Sequence, residues 1–156
     1  VLAKTGLLDE SYHYLLDHHL WLRAAQAAGT LYLPRRMAAA RFHAGAKNVA
    51  QAAAFGREAF RIIEWMQTQP GLQEPYRRLR RRIWAGAYRF DARYLQDSGQ
   101  PRAALAAYLR SLAAHPPTAL IEWRRMLYAV ASLVINPERL KQGYLERRRK
   151  DLAKKL

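Results

Sequence analysis

The stretch Tyr76-Arg77-Arg78-Leu79-Arg80-Arg81-Arg82-Ile83-Trp84-Ala85-Gly86-Ala87-Tyr88-Arg89-Phe90-Asp91-Ala92-Arg93-Tyr94 decides the fold class. Tyr76, Leu79, Ile83, Ala87, Phe90 and Tyr94 recur every three or four positions, the spacing of one helix face. Gly99 then closes the helix and Pro101 opens the next, a proline being welcome where a helix has no N–H to satisfy. Small residues at Ala92 and Ala104 and an aromatic at Tyr108 suit two helices in close approach, with Tyr108 filling the gap between them. Tyr88, Ala92, Leu95, Gly99, Ala104, Tyr108 and Pro116 together resemble a tetratricopeptide-like helix pair, although only one unit is evident and stacked repeats need about three. An ordinary helical hairpin is the preferred reading.

The same periodicity extends in both directions. Upstream, Asn48 with Gln51 three residues on makes a capping box. Val49, Ala52, Ala59, Phe60 and Ile63 then mark an inward stripe that ends before Pro70-Gly71. Downstream, Pro116-Pro117 ends one helix and starts another through Leu120, Leu127, Val130 and Val134. Asn136-Pro137-Glu138 supplies cap, first-turn proline and first-turn acid for a last helix with Leu145, Leu152 and Leu156 on a narrow seam.

Before residue 48 the pattern changes. Residues 1–11 read as loop around Gly6 and the acidic turn Asp9-Glu10-Ser11. Helical spacing begins near Leu16, with Leu20, Arg23, Ala24 and Ala27 on one side and Gly29 as C-cap. Residues 30–33 form a short extended run stopped by Pro34, and residues 37–42 a second, weaker strand candidate. The expectation is a mainly α chain. A short α/β remnant at 1–47 precedes a bundle of about five antiparallel helices at 48–156.

Lys and Arg total 27 against 12 Asp and Glu in 156 residues, a formal charge of +15. The excess gathers at residues 77–82 and 147–155. Such a field draws anions: nucleic acid, acidic lipid or phosphorylated substrate. A specific nucleic-acid reader is disfavoured, because zinc ligands, an RNA-binding aromatic motif and a helix-turn-helix glycine turn are all missing. An anionic surface touched by Arg77, Arg78, Arg81, Arg82, Arg147, Arg148 and Arg149 is the better-motivated reading; a solvated face is the plain one. Cysteine is absent, which excludes disulfides, thiolate metal sites and a cysteine nucleophile. The run from Met126 to Ile135 is too short to span a bilayer, which takes about 20 apolar residues. The chain starts at Val1 without an initiator Met or a leader pattern and reads as a piece of something longer.

Gly6-Leu7-Leu8-Asp9-Glu10, then Leu16-Asp17-His18-His19-Leu20-Trp21-Leu22-Arg23, then Arg41-Phe42-His43, resemble the end of a family 2 glycosyltransferase catalytic domain. The resemblance covers roughly residues 2–63. Two positions depart from the family's pattern: Leu16 stands where an acid is common, and His19 where a second acid usually follows the base. The resemblance implies a sugar moved from a nucleotide-sugar donor to an acceptor hydroxyl, with Asp17 as general base. The plain alternative for Asp17 is a first-turn acid favoured by the helix dipole.

By the same analogy His43 lies near the donor diphosphate or its metal; otherwise it is a hydrogen-bonded loop histidine. His18 and His19 are neighbours on a helix and point apart, so they do not form a metal pair. Trp21 reads as core and Arg23 as an ion-pair or hydrogen-bond partner. The family holds its Mg or Mn through an Asp-x-Asp motif that these residues lack, so donor and metal are expected upstream and the piece alone inactive. Acceptors in the family are often lipid-linked, which implies a cytoplasmic protein peripheral at the inner membrane face. The alternative is a non-catalytic helical interaction module that binds a protein partner or an anionic membrane surface.

Overall fold

The computed structural model describes residues 1–39 and 51–134, apart from the side chains of residues 52 and 53. Among the described residues there are seven α-helices: α1 Leu2–Thr5, α2 Leu16–Ala27, α3 Ala52–Thr68, α4 Gln73–Asp97, α5 Pro101–Ala114, α6 Pro116–Leu120 and α7 Trp123–Val134. A single 3₁₀ turn, Pro70–Leu72, joins α3 to α4.

The α4–α5 hairpin forms where the sequence places it. Gly99 takes φ +76°, a left-handed value that a side chain resists. Its N–H donates to the Gln96 carbonyl, and the Gln100 N–H reaches back to Leu95 at 2.9 Å. That pair of bonds is a Schellman closure, which satisfies the last carbonyls of α4. Ala85, Ala92, Ala104 and Ala107 are almost wholly buried along the seam. The Ser111 hydroxyl donates to the Ala85 carbonyl at 2.7 Å, so the helices meet at near-backbone distance. Tyr108 is fully buried beside Ala92, Ala107 and Ala129, as its gap-filling role requires.

Packing of α3 on α4 uses aromatics instead. Phe55 stacks on Tyr94 with centroids 4.5 Å apart and planes 4° from parallel. Ile63, Tyr76 and Ala87 form a second cluster, with Phe60, Ile83 and Trp84 packed against it. Leu79 is exposed. The rest of the expected face keeps its inward place: Tyr76, Ile83 and Ala87 in this cluster, Phe90 and Tyr94 against the neighbouring one.

Several expectations change at the termini. No strand exists among the described residues: residues 30–33 and 37–39 pair with nothing, and Leu31 and Tyr32 lie open to solvent. Extended propensity without a neighbouring ladder leaves the backbone groups to water. The α/β remnant is therefore not present in what is described. Residues 2–5 form a helical turn rather than loop. The end of α2 comes at extended Ala28, not at Gly29.

Downstream, the single helix expected after Pro117 is broken at Ile121 and Glu122. There the Glu122 carboxylate is drawn inward to Arg93 and accepts from the Tyr108 hydroxyl at 3.2 Å. Burial, and then the Glu122 charge, push the Tyr108 phenol well above its usual range. The Asn48 cap and the last helix with Leu145, Leu152 and Leu156 lie outside the described residues. No helix among the described residues is long and apolar enough to cross a membrane.

Candidate functional site

The candidate site lies at the start of α2, and α3 sets its geometry. Glu58, Arg61 and Trp65 recur at three and four residues on α3 and so share one face. Glu58 is buried, and its carboxylate accepts the backbone N–H groups of His13, Tyr14 and Leu15 at 2.7, 2.8 and 2.8 Å. Arg61 lies over the Tyr12 ring at 4.2 Å and donates to the Ser11 carbonyl and hydroxyl, each at 2.7 Å. Trp65 meets the His19 ring edge-on at 4.4 Å. The segment that delivers the chain into α2 is thus gripped by three side chains of one helix. Tyr12, Leu15, Phe55 and Ile62 close the apolar core beneath it.

Asp9 folds its carboxylate over the turn, accepting from the Ser11 N–H at 3.0 Å and the Ser11 hydroxyl at 2.7 Å. Those two bonds hold its carboxyl below the ordinary range. At the far end of the segment Arg23 donates to the carbonyls of Thr5 and Leu7, anchoring the Gly6 turn to α2. The expected hydrogen-bonding role of Arg23 is met.

Within this frame Asp17 is half-exposed in the first turn of α2. Its Oδ1 accepts the His18 backbone N–H at 2.8 Å and lies 3.0 Å from His18 Nδ1. A carboxylate only accepts, so that contact places the imidazole proton on Nδ1. The helix N-terminus places a partial positive charge beside the carboxylate. Leu15 at the N-cap and His19 are the buried positions here, with Leu16 and Leu22 packed partly buried against the core; His19 is not on the expected inward line of Leu16 and Leu20.

His19 is buried, with Nδ1 3.7 Å from Asp9 Oδ2 and its ring 4.5 Å from that of Tyr12. Neither ring nitrogen has a hydrogen-bond partner. Burial and then the Arg23 charge lower its pKa. His18 faces outward instead, so the two histidines do point apart as the helix geometry requires. Among the described residues no group of three His, Asp or Glu side chains is placed to hold a metal ion.

Trp21 is not core. Its side chain is 59% exposed, on the outer side of α2. Arg77, Arg78, Arg81 and Arg82 are all exposed on the first half of α4, away from the α2 site in sequence and element. Arg81 alone of these has a described bond, donating to the Ala114 carbonyl at 2.9 Å. His43, Arg147, Arg148 and Arg149 lie outside the described residues.

Sequence reading missed Glu58 and Arg61. The available signal was a carboxylate in line with Phe55 and Ile62 on an otherwise apolar stripe, where a solvated acid has no place. Comparison of the chain with protein-family models, with curated proteins and with solved structures returns no match.

Proposed function

We propose that this chain is the closing part of a glycosyltransferase that uses Asp17 as general base. The observation that carries the reading is a half-exposed carboxylate in the first turn of α2, inside the Gly6-to-Arg23 pattern that resembles family 2 enzymes. Asp17 and the Gly6 turn, separate in sequence, are joined through Arg23. His18 engages Oδ1, and Oδ2 carries no described hydrogen bond.

In the reaction the acceptor hydroxyl oxygen attacks the anomeric carbon of a nucleotide-sugar. Its proton passes to the Asp17 carboxylate as the new C–O bond forms. The bond from the anomeric carbon to the diphosphate oxygen breaks, and the nucleoside diphosphate leaves with the electron pair. A base positioned this way contributes about 10²- to 10⁴-fold in rate. A divalent cation, Mg or Mn, would neutralise the leaving diphosphate, held mostly by residues outside this chain. The nucleotide-sugar and the acceptor are therefore partners of the whole enzyme.

The test is Asp17→Asn in the whole enzyme. Turnover should fall about 100- to 10,000-fold while donor affinity holds. Near-normal turnover would reduce Asp17 to a first-turn helix acid.

A second reading rests on a separate observation. The exposed Arg77, Arg78 and Arg82 cluster on α4 suits a peripheral role at an anionic membrane surface. The two roles are compatible, since a membrane-bound acceptor would favour an enzyme held at that surface.

A further inference from the structure

A tryptophan left in water forgoes the burial of one of the largest apolar surfaces a side chain offers, about 150–250 Å². Trp21 gives up that burial on the same α2 face as Asp17, one helical turn along. His18 lies between them. Its ring centroid is 4.9 Å from that of Trp21 with planes 43° apart, and its Nδ1 is 3.0 Å from Asp17 Oδ1. Because Nδ1 is spent on Asp17, Nε2 is the ring nitrogen left to accept. The result is an exposed strip of three groups in order: indole face, imidazole acceptor, carboxylate.

A pyranose ring has the complementary layout. One face carries a patch of axial C–H bonds that packs on an aromatic ring, and the rim carries hydroxyls that donate to nitrogen and carboxylate acceptors. A planar apolar ligand would gain nothing from the acceptor rim, and an anion would be repelled by Asp17. The chain supplies its own comparison in Trp123, 51% exposed. There the Arg124 guanidinium lies over the ring at 5.3 Å, and the neighbouring Glu122 is turned inward to Arg93 and Tyr108. Exposure of an indole alone therefore does not make such a strip; the ordered polar neighbours do.

We infer that Trp21, His18 and Asp17 form a saccharide platform, on which a pyranose of the acceptor stacks against the Trp21 indole with a hydroxyl directed at Asp17. The inference rests on the reading of Asp17 as base and extends it by naming the acceptor's class, a carbohydrate rather than a lipid or peptide hydroxyl. On this account Trp21 positions the acceptor and His18 fixes the carboxylate that takes its proton.

The experiment follows indole N–H and histidine ring signals by NMR in the 156-residue chain. The probes are soluble hexaoses of glucose, N-acetylglucosamine and mannose in α and β linkage. The Trp21 and His18 signals should move saturably with at least one hexaose, while those of Trp65, Trp84 and Trp123 stay still. Trp21→Ala should weaken binding about tenfold, and Trp21→Phe, which keeps an aromatic face, should retain most of it. Because Trp21 is outside the core, both variants should unfold at the wild-type midpoint.

No movement at Trp21 with any hexaose, or equal movement at Trp21 and Trp123, overturns the platform. Failure of the catalytic reading shows elsewhere: Asp17→Asn would then leave turnover of the whole enzyme intact whatever the hexaoses do.

Discussion

The Glu58 carboxylate accepts the Leu15 backbone N–H at 2.8 Å across 43 positions of sequence, and this bond fixes where α2 begins. Helix starts leave N–H groups without partners, and a local Ser, Asp or Asn usually supplies one. Leu15 stands at the N-cap of α2 and has no side chain to offer. Glu58 instead takes the N-cap residue's own N–H, as the glutamate of a capping box does, but from another helix, and it also takes the N–H groups of His13 and Tyr14. The same contact therefore ties the start of α2, whose first turn carries Asp17, to α3.

Glu58→Gln should consequently destabilise the fold by about 2 kcal/mol or more. The amide can accept through one atom only, and its NH₂ would face a buried donor. Urea unfolding of the two proteins measures the difference. A change within about 0.5 kcal/mol, the range for ordinary surface substitutions, would show that the three bonds add nothing beyond what water supplies.

His19 makes the fold sensitive to mild acid. Its folded pKa is lowered from 6.5, chiefly by burial and then by Arg23; Asp9 opposes the shift and Arg61 adds to it. A lowered pKa means that the unfolded chain takes up the proton first as pH falls. Stability from this group is thus complete above about pH 6.5 and drains away below it, until the folded form protonates as well. Urea midpoints between pH 8 and pH 5 should fall more steeply for the wild type than for His19→Phe, which cannot charge. Parallel curves would place the acid response in another group.

The helical hairpin was legible because its signals are local. Gly99, Pro101 and the alanines each act within a few residues, so spacing alone predicts their roles. The α2 site was legible in part. Arg23 takes the hydrogen-bonding role expected of it, but Trp21, expected in the core, lies exposed. Its side depends on which stripe of α2 meets α3, and His19, a polar residue, occupies the inward position that a leucine was expected to hold. The run at residues 30–33 misled for the opposite reason: its extended propensity is real, yet a strand needs a partner that no local signal reports. Glu58 was invisible because its partners are backbone amides, which every residue carries.

Gly56 permits the α3–α4 approach at one point. A methyl group built there would lie 1.8 Å from Asp91 Oδ1 and 3.0 Å from the Asp91 Cβ. The second distance involves the root of the side chain, so rotating the carboxylate does not clear it. Gly56→Ala should therefore lose about 1–3 kcal/mol through overpacking, against a helix-propensity gain of at most about 1 kcal/mol. Combining it with Asp91→Ala, which removes the carboxylate but keeps the Cβ at 3.0 Å, should recover only part of the loss, as a thermal melt of the double variant would show. A single variant more stable than wild type would mean that the helices separate at little cost.

The basic face of α4 should bind anionic membranes by charge alone. Arg77, Arg78 and Arg82 are exposed with no described bond, whereas Arg81 is tied to the Ala114 carbonyl, so the first three are the groups free to act. Each basic group near an anionic bilayer contributes about 1 kcal/mol, and the attraction decays over about 8 Å at physiological salt. Three such groups, helped by the net charge of +15, suffice for reversible attachment but not for binding that resists salt. Co-sedimentation with phosphatidylglycerol vesicles should hence be strong at low salt, lost as salt rises, and absent with neutral vesicles. Charge reversal at Arg77, Arg78 and Arg82 together should weaken it, while the same change at Arg35 and Arg36, exposed in a different part of the chain, should matter less. Equal binding to neutral and anionic vesicles would shift the contact to apolar groups. The exposed side chains of Trp123, Leu127, Val130 and Val134 share one stripe of α7 and would be the place to look. Indifference to both vesicle types would leave the arginines as a solvated face.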